Sequence, residues 1–298
     1  MNYLPKISII LTTYNGKTRG FLHESIKSVF NQTYIDYECL IIDDGSNDNT
    51  FEDIKPFLSD HRFLYFYQKN KGLAAARNTG IGLAKGLFIC FLDDDDIWDI
   101  NKLNKQINFL ENHKDYENIG MVYTNIELID SNGNNIGFQS NNSFGKIYED
   151  LLYKNLIDSP SSVMIKNDVF KNIGYFKEWM KSSEDYDLWF RISKNYLIYS
   201  QNEFLVKYRL HNDKMSYNHN KMDFYTLMSL YYATEAFDSK KQDLVFLNQY
   251  KNIFNKYYDL GIYHDARKYF FFYCGIGRFN YKLFIKLLFL FVKNLLSK

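Results

Sequence analysis

Four consecutive carboxylates, Asp93, Asp94, Asp95 and Asp96, follow directly on the apolar run of residues 86–92, GLFICFL. That run has the length and the aromatic, branched character of a buried strand, so the acids sit where a strand ends. Adjacent carboxylates repel one another, and their ionised forms need cations or hydrogen-bond donors close by. In an extended chain Asp93 and Asp95 face one side and Asp94 and Asp96 the other. A D-x-D pair so placed is a seat for a hard divalent ion, Mg²⁺ or Mn²⁺, held through carboxylates and substrate phosphates. The competing reading is a solvated acidic loop, with Asp96 capping a helix from Trp98 onwards. A second cluster, Glu184, Asp185 and Asp187, opens the apolar segment 186–190 behind Ser182 and Ser183. A Ser183 cap with acids complementing the helix dipole explains why acids are tolerated there. It does not explain why there are three.

The elements that must position these groups are legible from periodicity. Strand signals at residues 6–13, 37–43, 62–67 and 86–92 alternate with helical spacing over 20–32, from Ser46 or Asp48 to about 58, and from the loop 70–72 through to about 84. Such alternation predicts βαβ units, a mostly parallel sheet and right-handed crossovers. Ligands in these sheets bind at the carboxyl ends of the strands. Those ends carry Thr12, Thr13 and Tyr14, then Asp43 and Asp44, then residues 93–96. Further on, Asp130, Ser131, Asn132, Gly133 and Asn134 are a hairpin-turn signal. From residue 216 the sequence reads as helical and tyrosine-rich, without catalytic motifs.

Composition narrows the class. The chain has 298 residues, 46% hydrophobic and 18% aromatic, enough for a substantial core, and a net charge of +1 gives no general attraction to nucleic acid. Three scattered cysteines, Cys39, Cys90 and Cys274, form neither a disulfide framework nor a zinc spacing, which predicts a reduced intracellular protein. We find no signal peptide and no span of 18 uncharged apolar residues, so the expected location is cytoplasmic. Near the carboxyl end, Arg278, Lys282, Lys286 and Lys293 share one helical face among apolar neighbours. Residues 278–296 therefore read either as a helix lying on the cytoplasmic face of the inner membrane or as one packed on protein.

The motifs T-T-Y-N at 12–15, D-D-G-S-x-D-x-T at 43–50, N-K-G-x-x-x-A-R-N-x-G at 70–80, D-x-D at 93–95 and E-D-Y-D-L-W at 184–189 occur in this order. Together they resemble the family 2 glycosyltransferases of the GT-A fold, over roughly residues 5–215. The resemblance implies an α/β GT-A catalytic domain over residues 1–215, with a nucleotide-sugar half (about 1–100) and an acceptor half (about 101–215). Residues 216–298 are then a helical carboxyl-terminal region. It implies nucleotide contacts from Thr12, Tyr14, Asp44 (to a uracil N–H), Asp93 and Asp94, and from Arg77, whose partner is the nucleotide or the acidic motif. Asp94 is an extra carboxylate relative to the family pattern, left to the sugar, the ribose or solvent. Metal coordination, by Mn²⁺ or Mg²⁺, falls to Asp95, with His211 as a further ligand.

Asp185 is the implied general base, ionised at neutral pH if it keeps an ordinary value of about 3.9. The activity implied is inverting, non-processive transfer from a nucleotide-sugar, with UDP favoured by Asp44. The acceptor is a saccharide or a lipid-linked saccharide in surface glycan synthesis. A processive synthase would show Q-x-x-R-W, and none of Trp98, Trp179 or Trp189 follows an arginine. The alternative is a catalytically inactive nucleotide-sugar-binding or scaffold protein.

Overall fold

The computed structural model describes residues 4–212, 214 and 218–275, in two compact units, one ending at Tyr225 and the next beginning at Thr226. The first unit is built on β1 (Ile7–Thr13), β2 (Tyr37–Asp43), β3 (Phe63–Tyr67), β4 (Phe88–Asp93), β5 (Ile97–Trp98), β6 (Ile119–Ile129), β7 (Asn135–Gln139), β8 (Phe144–Gly145), β9 (Val163–Lys166) and β10 (Leu197–Arg209). They form one sheet in the order β3-β2-β1-β4-β9-β6-β10-β5, with β7 on β6 and β8 on β10. The long pairings, β1 with β2 and β4, β2 with β3 and β6 with β10, are parallel. Shorter antiparallel pairings insert β9 between β4 and β6. The expected α/β architecture with a mostly parallel sheet is therefore present.

Every residue of β1 and β2 is buried. This is why those segments read as near-continuous apolar runs: a parallel strand is covered on both faces and has no polar side to show. The helices Leu22–Phe30 and Leu73–Leu83 follow β1 and β3. The helix expected from residue 46 or 48 to about 58 is shorter, Thr50–Ile54, and continues as a 3-10 turn, Lys55–Ser59. Pro56 lies in that turn and has no N–H to continue an α-helix. The hairpin turn forms as expected, with the Gly133 N–H on the Asp130 carbonyl and the Asp130 N–H on the Asn134 carbonyl.

The sheet order places β1 at the point where successive strands change direction of growth, with β2 on one side and β4 on the other. Crevices at such switch points are the usual ligand sites of open α/β sheets. Register puts Thr12 beside Asp93 and Thr13 beside Asp43, so the three polar strand ends converge there.

In the second unit the helices Ser239–Asp259 and Tyr263–Gly275 share a core of Ile253, Phe254, Tyr257, Ala266, Tyr269 and Phe270. Asp238 caps the first of them by accepting the Lys241 N–H at 2.9 Å. Among the described residues no helix is long and apolar enough to cross a membrane. The basic helix expected at 278–296 lies outside the described residues.

Candidate active site

Residues 93–96 do not stay extended. The Asp96 N–H donates to the Asp93 carbonyl at 3.1 Å and closes a turn, which breaks the expected alternation of side chains. Asp93, Asp95 and Asp96 offer carboxylate oxygens that all lie within 4.8 Å of one another. Asp94 departs to the other side, where it accepts hydrogen bonds from the Thr13 hydroxyl and the Arg19 guanidinium. It is buried, so the solvated reading of this extra carboxylate fails. Asp96 is not a helix cap either. After β5 the next helix is Lys102–Glu111, and Asp96 instead accepts from the Arg209 N–H and the Ser159 hydroxyl.

Burial lifts Asp94 to about 7 against the pull of Arg19. Burial likewise lifts Asp96 to about 7 against Lys214. Asp95 goes the other way. Burial opposes its charge, yet Lys214 and the His211 hydrogen bond bring it down to about 2. Its Oδ2 shares a 2.9 Å hydrogen bond with His211 Nε2, whereas its Oδ1 is buried without a partner. An ionised carboxylate with one oxygen unanswered, beside two more acid oxygens, suits a hard divalent ion that takes oxygen donors. The residues present fit such an ion. His211, expected as a further metal ligand, instead hydrogen-bonds Asp95 and stands outside the oxygen group, which gains Asp96, a residue the sequence reading did not include.

Arg77 links this turn to the second acidic cluster. It is almost fully buried, so a surface salt bridge is ruled out. Its Nη2 donates to Asp93 Oδ1 and its Nη1 to Glu184 Oε1, each at 2.7 Å. Arg77 thus meets the acidic motif, one of the two partners expected for it. Glu184 opens the helix Glu184–Asn195, so the guanidinium fixes the start of the helix that carries Asp185. Ser183 precedes it at φ 51°, in the left-handed region, and no side-chain cap is formed. The expected serine cap is absent, and a strained non-glycine residue stands instead beside the candidate base.

Asp185 is partly exposed and accepts the Tyr186 N–H at 2.7 Å. Desolvation by surrounding protein, followed by the Glu184 charge, carries its carboxyl to about 7, with Arg77 opposing. The ordinary value expected from sequence is thus corrected upwards. Asp187 turns away from this cluster to Lys177 and Arg191.

On the β2 side, Asp44 holds a loop. Its Oδ1 accepts from Gln68 Nε2 (2.7 Å) and the Lys71 N–H (2.9 Å), and its Oδ2 from the Gly72 N–H (2.8 Å). The neighbouring Asp43 closes the turn after β2, accepting the Ser46 N–H at 2.8 Å. Thr12 is buried at its strand end, while Tyr14 is exposed.

The loop of residues 70–72 approaches Gly45 so closely that an added Cβ would stand 2.7 Å from the Asn70 nitrogen, and Gly45 has φ +88°. Gly45→Ala is therefore expected to cost more than about 1 kcal/mol. It should displace the loop from Asp44. Thermal denaturation should show a lower midpoint and nucleotide titration a weaker site.

Sequence reasoning missed Arg19, Arg209 and Lys214, and it noticed Glu184 without assigning it a partner. Arg209 is buried and donates to the Asp95 carbonyl (3.0 Å), Glu24 (2.6 Å) and the carbonyls of Asp130 and Ser131, tying the acidic turn to a helix and to the hairpin. Its position two residues before His211 was the available signal. For Lys214, three residues after His211, an unbalanced run of acids was the signal.

Residues 8–174 match the family model described as Glycosyl transferase family 2. An uncharacterized glycosyltransferase of Rickettsia typhi is 36% identical over 214 residues, 70% of this chain and 65% of that protein. One from Rickettsia felis is 33% identical over 227 residues, 74% of this chain and 37% of that protein. The chain thus spans less than two thirds of the length of these relatives. The Escherichia coli UDP-Glc:alpha-D-GlcNAc-diphosphoundecaprenol beta-1,3-glucosyltransferase WfgD is 35% identical over 217 residues, 71% of this chain and 80% of that protein. Among solved structures, S. aureus TarS 1-349 in complex with UDP superposes with a TM-score of 0.59 at 20% identity, covering 80% of this chain and 69% of that TarS 1-349 chain. At that identity the likeness concerns the fold.

Proposed function

The chain belongs to glycosyl transferase family 2, and from that membership we propose that it is an inverting, non-processive glycosyltransferase. It moves a sugar from a nucleotide-sugar, with UDP as the carrier, to a hydroxyl of a saccharide or lipid-linked saccharide in surface glycan synthesis. The observation that carries this reading is the Arg77 bridge, which draws the acidic turn after β4 and the helix bearing Asp185 to one edge of the sheet. The name of WfgD, which gives UDP-Glc and a diphosphoundecaprenol-linked GlcNAc, supports the donor and the acceptor classes.

In this reading the catalytic domain is residues 1–215, and Thr12, Tyr14, Asp44, Arg77, Asp93 and Asp94 form the nucleotide side. Asp44 does so by shaping the loop it grips as well as by its own oxygens. Asp95, with Asp93 and Asp96 around it and His211 alongside, holds Mn²⁺ or Mg²⁺. When bound, the ion supplies positive charge against the departing diphosphate. Asp185 takes the proton of the acceptor hydroxyl as that oxygen attacks the anomeric carbon, and attack opposite the leaving group inverts the centre. A base whose pKa lies near neutrality suits this step, since enough of it is ionised while it still holds a proton well. Arg77 restrains Glu184 and so the first turn of the base-bearing helix. Residues 278–296 would place the protein at the cytoplasmic face of the inner membrane, near lipid-linked acceptors.

The test is turnover with UDP-, GDP- and dTDP-sugars on a diphospholipid-linked saccharide, followed by nuclear magnetic resonance of the product linkage. UDP release with an inverted anomer is the expected result. A retained anomer would contradict the mechanism. Binding of donor without release of nucleotide would favour the inactive, scaffold reading.

A further inference from the structure

Lys214 sits inside the acidic turn. Its Nζ lies 3.3 Å from Asp95 Oδ2, 3.3 Å from Asp96 Oδ1 and 2.8 Å from the Arg209 carbonyl, and 3.5 Å from the centroid of the Tyr208 ring. The side chain is only 8% exposed. Two carboxylates at 3.3 Å favour the charged form of its ammonium. The two acids it faces belong to the group whose oxygens lie within 4.8 Å of one another.

We propose that the Lys214 ammonium is a tethered substitute for the divalent ion, neutralising Asp95 and Asp96 when the ion is absent and competing with it for the same carboxylates when it binds. This rests on the metal reading of the site given above. An ion coordinated by these carboxylates would stand within a few ångströms of the ammonium, and two cations so close in a poorly hydrated setting repel strongly. The lysine must therefore give way. Two features suit a substitute rather than a permanent structural ion pair. Lysine is a compact point charge on a flexible stem, able to leave without disturbing the backbone. It also leaves Asp95 Oδ1 unanswered, so the neutralisation it provides is incomplete. The consequence is a site whose affinity for metal is held down by its own chain.

The experiment is calorimetric titration of the full chain with MnCl₂, free of nucleotide, in the parent protein, Lys214→Met and Lys214→Arg. Lys214→Met removes the charge at nearly constant length and is expected to bind Mn²⁺ about tenfold tighter or more, a change worth about 1.4 kcal/mol per factor of ten. Lys214→Arg keeps a competing charge and is expected to stay close to the parent. Equal or weaker binding in Lys214→Met, with the parent binding Mn²⁺, overturns the proposal and leaves the metal reading standing. Absence of Mn²⁺ binding in both overturns the two together. Should Lys214→Met fail to fold, amine acetylation of the parent read by mass spectrometry decides. Faster labelling of Lys214 with Mn²⁺ than without supports displacement, and unchanged labelling overturns it.

Discussion

Asp185→Asn should abolish most turnover while leaving donor binding intact. Loss of a positioned general base costs roughly 10²–10⁴ in rate, and asparagine matches the shape of aspartate without its basicity. The effect belongs in kcat, with the affinity for the nucleotide unchanged. The pH profile of the parent enzyme supplies an independent check. The base must be ionised to act, and Asp185 is carried to about 7 by desolvation and by Glu184. Activity is therefore expected to rise with pH, about tenfold per unit below 7, and to level off above it. A flat profile between pH 5 and 8, with Asp185→Asn still active, would remove Asp185 from the mechanism.

Arg77→Met should be the most damaging change to the architecture of the site. Arg77 is buried against the Asp93 and Glu184 carboxylates and lies 5.5 Å from the Phe176 ring centroid. Removing one partner of a buried ion pair typically costs about 3–5 kcal/mol, because the remaining charge is left uncompensated. The part belonging to Asp93, which retains some exposure, should be the smaller. Denaturant unfolding is expected to show a matching fall in stability. A second effect has a definite sign. The Arg77 charge lowers the pKa of Asp185, so its loss should move the acidic limb of the pH–activity profile above 7. Arg77→Lys, which keeps a charge but cannot bridge two carboxylates with a planar fork, should restore the limb more fully than the stability.

The framework of the site was legible from the sequence because it depends on local pattern. The apolar run before Asp93 is a strand because its side chains are covered on both faces, and that burial leaves a mark in composition. The convergence of Thr12, Asp43 and Asp93 follows from strand order. The detail inside the acidic stretch was not legible. Alternation presumes an extended chain, and the bond from Asp96 N–H to Asp93 carbonyl turns Asp96 inwards and Asp94 towards Arg19. The cap assigned to Ser183 failed for a similar reason, since its left-handed backbone withholds the hydroxyl from the helix N–H groups. Arg19, Arg209 and Lys214 reach their carboxylates through long side chains from distant segments, and only the nearness of the last two to His211 in sequence hinted at such contacts. The pKa of Asp185 is likewise a property of packing, invisible in a motif that names only the residue.

In the proposed mechanism the acidic turn after β4 seats the metal through which a nucleoside diphosphate is held. The most direct measurement is calorimetric titration with UDP, in the presence and absence of Mn²⁺, of the parent protein and of Asp95→Ala. Binding is expected to strengthen with Mn²⁺ in the parent and to lose at least about tenfold of that gain in Asp95→Ala. Binding of UDP that is equally tight with and without Mn²⁺, and unaffected by Asp95→Ala, would contradict it.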